Sequence, residues 1–163
     1  MGKENTKSNK LIIVAFTLYV LLLIWIIVFK FRLNLSYLKY IRTINLIPFK
    51  AKGVVNGMRE TIINVVLFIP LGMYLKYLLK DRKFLSIVII SSTSLLFEIL
   101  QYIFHIGVSD ITDIIMNTIG GIIGMILMVI FLSITKKNNI LNKILDYLLI
   151  FLPLLMFLGL FII

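Results

Sequence analysis

The chain has 163 residues, 61% hydrophobic and only 15% charged, with a mean hydropathy of +1.09. A water-soluble domain runs at about 45–50% apolar and about 25% charged, so these few polar side chains cannot cover an aqueous surface and lipid must be the solvent for much of the molecule. The lack of cysteine excludes disulfides, thiolate metal sites and a cysteine nucleophile, and the single histidine excludes a multi-histidine metal centre. The net charge of +10 lies between apolar runs, which points to anionic lipid and away from nucleic acid.

Residues 1–10 form a polar tail with Lys3, Lys7 and Lys10. Residues 11–29 then run without a charge, about the 20 residues a membrane helix needs. That run is too long for the apolar core of a cleaved signal peptide, and Lys30 and Arg32 follow it. Residues 31–60 alternate basic and apolar side chains and read as an interfacial segment, part of it a helix lying in the headgroup plane. Pro48 and Gly53 stop it from being one continuous helix. A second span covers about residues 61–79, with Pro70 inside and Lys76 and Lys80 placed to snorkel. A third covers about 84–106 and a fourth about 111–133. After a basic turn with Lys136, Lys137 and Lys143, a fifth covers about 144–163. The expected fold is an all-α integral membrane protein: a bundle of about five transmembrane helices. It divides into the tail 1–10, a transmembrane domain 11–135, and a basic turn with a last helix at 136–163.

With the N-terminus in the cytoplasm, the inner segments hold ten basic residues and the outer ones seven. The positive-inside rule therefore favours a multi-pass cell-membrane protein with a cytoplasmic N-terminus.

Polar residues inside the spans fall in stripes. Ser91, Ser94, Glu98, Gln101 and His105 are spaced 3, 4, 3 and 4 apart, and so are Asp110, Asp113, Asn117, Gly120 and Gly124. At 100° per residue each set shares one helix face. A short turn joins the two helices, which makes them neighbours with facing stripes. An ionisable residue in a span costs roughly 2.5–3.5 kcal/mol on insertion scales and is rarely turned to lipid. Glu98 must therefore face the bundle interior, a watery cleft or a cation. Arg59 and Lys52 are candidate partners, and Glu60 and Asn64 are spaced to reach the same centre. Glu98, Asp110 and Asp113 are the candidate catalytic carboxylates, since carboxylates in low dielectric can supply a general acid or base. The candidate binding set is Arg59, Asn64, Glu98, Gln101, His105, Asp110, Asp113 and Asn117. Two rival explanations stand beside these. Polar stripes also glue helices together, and acidic residues also cap a helix start. Gly120, Gly121 and Gly124 read as helix packing. No metal site or cofactor is required by the sequence.

Three stretches carry a resemblance: Asn45-Leu-Ile-Pro-Phe49; Asn64-Val-Val-Leu-Phe-Ile-Pro-Leu-Gly72; and Glu98-Ile-Leu-Gln101, followed by Asp110-Ile-Thr-Asp113 and the run through Asn117 to Gly124. Together, over residues 45–125, the chain resembles the VanZ-like family. Relatives often carry an arginine just before the first aspartate of the third stretch. This chain has Gly107-Val-Ser109 there, and Arg59 is the candidate stand-in. The resemblance implies a cell-envelope protein that lowers susceptibility to teicoplanin-type glycopeptides. It implies no established reaction.

The expected partners are membrane lipids and a lipid-linked wall precursor or lipoglycopeptide, and the packing glycines permit a homo-oligomer. The leading function is therefore action at the membrane surface or on a lipid-linked target. The alternatives are an intramembrane enzyme acting on a lipid or lipid-linked headgroup, and a small transporter or scaffold subunit.

Overall fold

The computed structural model describes residues 2–29, 41–49, 54–135 and 138–159. Their elements run α1 (Gly2–Phe29), β1 (Ile41–Asn45), α2 (Val54–Leu79), α3 (Lys83–Ile103), β2 (Ile106–Asp110), α4 (Ile111–Thr135) and α5 (Asn139–Gly159). All five helices are long and apolar enough to cross a membrane. In hydrocarbon a helix satisfies its own backbone groups, which is why these apolar runs adopt it. The protein is thus a multi-pass helical membrane protein. Its ends differ. One carries the α2–α3 turn and the start of α5. The other carries both strands.

The boundaries differ from the sequence expectations where polar residues continue a helix. The first begins at Gly2, within the polar tail, and Ser8 donates to Asp146 of α5 at 2.7 Å. The third stops at Ile103, so His105 lies in the following turn with φ 56° rather than on the α3 stripe. The expected interfacial helix is not found in the part of the 31–60 segment that is described before α2. Residues 41–45 form a strand parallel to β2, from Ile41 opposite Ile106 to Asn45 opposite Asp110. Residues 30–40 and 50–53, with Lys50 and Lys52, lie outside the described residues.

Packing is closest between α2 and α4, because glycines remove side chains from the contact. A Cβ on Gly72 would lie 1.8 Å from the Gly121 carbonyl oxygen; one on Gly124 would lie 1.9 Å from that of Ile69, and one on Gly120 2.2 Å from that of Val65. Gly121 instead faces the Ile90 side chain of α3. Backbones this close gain van der Waals contact that lipid cannot supply.

Tyrosines complete the interior. Tyr19 and Tyr74 are fully buried, and the Tyr74 ring packs at a tilt against both Phe16 and Tyr19, at ring separations of 5.2 Å and 5.6 Å. Their hydroxyls still need acceptors. Tyr19 donates to the Leu67 carbonyl at 2.7 Å. Tyr74 donates to the Leu149 carbonyl of α5. Leu149 lies four residues before Pro153, which has no N–H to return to it. Tyr74 therefore supplies, from another helix, the hydrogen bond that the proline withholds. At the turn end, Lys76 is buried along its stem and donates to the Lys80 carbonyl at 2.7 Å.

Candidate carboxylate cleft

The strand end concentrates the polar residues. Asp110 precedes the first residue of α4, where four backbone N–H groups lack helical acceptors. Its Oδ1 accepts from the Thr112 N–H at 2.8 Å, which makes it the N-cap. Its Oδ2 accepts from Asn45 Nδ2 at 3.1 Å. Asn45 in turn accepts the Ile47 N–H through Oδ1 at 3.2 Å, and the Phe49 N–H donates to Thr112 Oγ1 at 3.0 Å. The Asn45–Phe49 stretch is thus a clamp that fastens β1 and its turn onto the start of α4. Phe49 takes a positive φ of 58° in that turn.

Glu98 is 4% exposed and sits behind this clamp. Its Oε2 accepts the Asp110 N–H at 2.8 Å, and its backbone carbonyl accepts from Ser109 Oγ at 2.8 Å. The carboxylate therefore fixes β2 against α3. One turn further along, Gln101 donates to the Ile27 carbonyl at 2.9 Å. Ile27 is among the last four residues of α1, whose carbonyls have no helical donor. The two polar stripes do meet: Asn117 Nδ2 donates to Ser94 Oγ at 2.8 Å, and Ser91 and Thr118 share a hydrogen bond at 3.3 Å. Asn117 Oδ1 is fully enclosed and has no hydrogen-bond partner.

A cavity of about 190 Å³ opens among α1, α2, α3 and α4. Glu60 and Asn64 line it from α2, Glu98 and Gln101 from α3, and Asp113 from α4; Ile26, Ile27, Ile63 and Leu67 supply the apolar wall. Among the described residues, no basic side chain lines it. The cleft thus presents three carboxylates and two amides, a set suited to accepting hydrogen bonds from hydroxyls and amines. Among the described residues, no group of three histidine, aspartate or glutamate side chains is placed to hold a metal ion.

Of the candidate residues, the structure brings Asn64, Glu98, Gln101 and Asp113 to this cleft. Asp110, at 2% exposure, faces a second groove on the other side of α3 and α4 that Glu98 also lines. Asn117 lies in the α3–α4 contact, and His105 and Arg59 line neither cavity. Gly120, Gly121 and Gly124 make helix contacts, as described above. Asp146 escaped notice in the sequence although it is a carboxylate inside the fifth span. It accepts from Ser8 and from Tyr77, the latter at 3.0 Å, and ties α1, α2 and α5 together.

The VanZ/LLP1 family model matches residues 16–132. The protein named VanZ from Enterococcus faecium is 46% identical over 111 residues, covering 66% of this chain and 67% of that protein. No solved structure matches the chain. The family match takes in the second half of α1, all of α2 and α3, most of α4, the strand pair and the whole cleft. The chain belongs to the VanZ/LLP1 family.

Proposed function

We propose that this VanZ/LLP1 protein lowers susceptibility to teicoplanin-type glycopeptides from within the cell membrane, by engaging a lipid-linked cell-wall target at the membrane surface. The observation that carries the reading is the cleft lined by Glu60, Asn64, Glu98, Gln101 and Asp113. Carboxylates within spans are costly and need a use; of these three Glu98 is buried, Asp113 half-buried and Glu60 exposed. Here they form a wall of acceptors, which suits the hydroxyls and amines of a sugar–peptide headgroup, or those of a lipoglycopeptide itself. Among the described residues, none of those lining the cleft is a cation that could meet a phosphate. Lys39, Arg42, Lys50 and Lys52, nearby in sequence, are the residues suited to an anionic group at the surface. The N-terminus is cytoplasmic in this reading, with ten basic residues inside against seven outside, which turns the strand end and the cleft outward.

Glu98 and Asp110 both take part in fastening the fold, Glu98 through the Asp110 N–H and Asp110 through the Thr112 N–H and Asn45, so their substitution would mix folding with function. Asp113 and Glu60 are therefore the informative positions. The chain is expressed in a sensitive Gram-positive host, and teicoplanin and vancomycin inhibition are compared for wild type, Glu60→Gln and Asp113→Asn at matched membrane levels. The expected result is a loss of teicoplanin potency with wild type that the variants reverse. Unchanged susceptibility with well-expressed wild type refutes the resistance role. Full protection by both variants refutes the role of the cleft.

A further inference from the structure

The second groove lies beneath the strand pair, on the outer side of α3 and α4. Its volume is about 360 Å³. Ile44 and Leu46 roof it, Leu95 and Ile99 form one wall, and Ile111 and Ile114 form the other. Its polar residues contribute almost no polar surface because they are turned to one another: Asp110 N–H to Glu98, Ser109 to the Glu98 carbonyl, Asn45 to Asp110. What faces the groove is carbon. Leu95 and Ile99 are exposed on the outward face of a membrane-spanning helix, so the groove opens to the hydrocarbon.

Its depth is marked as well. Tyr102 lines it near the end of α3, at the level where aromatic rings collect at the membrane interface. Above it the clamped turn presents Leu46 at 71% and Phe49 at 67% exposure, in a sequence flanked by Arg42, Lys50 and Lys52. Apolar tips with neighbouring basic residues are how a segment seats at the headgroup–acyl boundary. The turn is held by three hydrogen bonds, so its roof over the groove is set in advance.

We propose that this groove is an acyl-chain slot: it holds one hydrocarbon tail of a leaflet phospholipid, with that lipid's headgroup beside the Asn45–Phe49 turn. The inference is independent of the antibiotic reading, since it concerns a different cavity and a resident lipid.

The test uses the full chain in nanodiscs containing a phospholipid with a photoreactive group in the upper third of one acyl chain. Cross-links are mapped by mass spectrometry as the probe fraction rises. A slot predicts that labelling at Ile99 and Ile114 saturates, while labelling at Leu96, on the open lipid face of α3, rises in proportion. An Ile114→Trp variant, which fills the slot, is expected to reduce Ile99 labelling at least fivefold and leave Leu96 unchanged. Proportional labelling at every position in the wild type overturns the proposal, as does Ile99 labelling that survives the tryptophan in a folded variant. The wild-type saturation curve decides the matter even if the variant does not fold.

Discussion

Tyr74→Phe removes one oxygen atom and keeps the ring that packs against Phe16 and Tyr19. The oxygen it removes serves the Leu149 carbonyl, whose helical donor Pro153 cannot provide. Interhelical hydrogen bonds in membranes are worth about 0.6 kcal/mol on average and about 1.7 at most, because the separated helices usually find other partners. The Leu149 carbonyl has lost its usual partner, so the cost belongs at the upper end. A buried acceptor left unpaired costs about 1–3 kcal/mol. Pro153→Ala restores an N–H to that carbonyl, and in its background Tyr74→Phe should cost only about 0.5 kcal/mol. The four proteins form a double-mutant cycle with a coupling of about 1 kcal/mol or more. Reversible unfolding in mixed detergent micelles, followed by the fluorescence of the single tryptophan, Trp25, measures all four. An equal cost of Tyr74→Phe in both backgrounds would falsify the reasoning that the tyrosine substitutes for the proline's missing donor.

Three further outcomes follow from the same packing. Gly124→Ala places a Cβ 1.9 Å from the Ile69 carbonyl and must part α2 from α4, with a loss of about 3 kcal/mol or more in the micelle assay. Gly159→Ala meets nothing within 4 Å and, since alanine favours a helix over glycine, should leave the midpoint unchanged or slightly raised; similar losses at both positions would show that the close α2–α4 contact does not set the cost. Asn45→Ala releases the turn from Asp110 and should cost about 1–2 kcal/mol, with faster amide exchange confined to the strand pair; unchanged exchange there would mean that the backbone ladder alone holds it. Ser94→Ala leaves Asn117 with both ends of its amide unpaired and should cost about 1–3 kcal/mol. A loss below about 0.5 kcal/mol would show that Asn117 finds another partner.

The spans were legible because lipid imposes one requirement on every residue of a run, and apolar stretches record it. The meeting of the stripes was legible for a related reason: Ser94, Glu98, Asp113 and Asn117 sit at helical spacings, and carboxylates avoid hydrocarbon. The strand pair was not. Ile41–Asn45 is five residues long, and its partner lies 65 residues away, so neither periodicity nor a hairpin turn announces it. Basic–apolar alternation in that segment suggested a helix at the interface, whereas Asn45 and the clamp decide for a strand and turn. The division of Asp110 from Asp113 was also hidden. Three residues apart, they share a helix face in projection, but Asp110 lies just before the helix and is consumed by its cap. The tyrosine–carbonyl bond requires knowing which helices are adjacent, and no local pattern gives that.

The parallel strand pair constrains how the chain must be threaded. β1 follows the first crossing and β2 the third, so they share a side of the bilayer when α2 and α3 have both crossed and not when only one of them has. Were α2 to stall at the surface, α3 would cross in the wrong direction, and the strands would be separated by about 30 Å of hydrocarbon. α2 and α3 are the least apolar of the first four spans, and α2 carries Pro70. The bond between Asn45 and Asp110 can therefore close only in a chain with the correct parity of crossings. A pair of five-residue strands thus links two segments that are 65 residues apart and on one side of the bilayer, and a mis-threaded copy would lack both the ladder and the Asn45–Asp110 bond while keeping the local cap of α4.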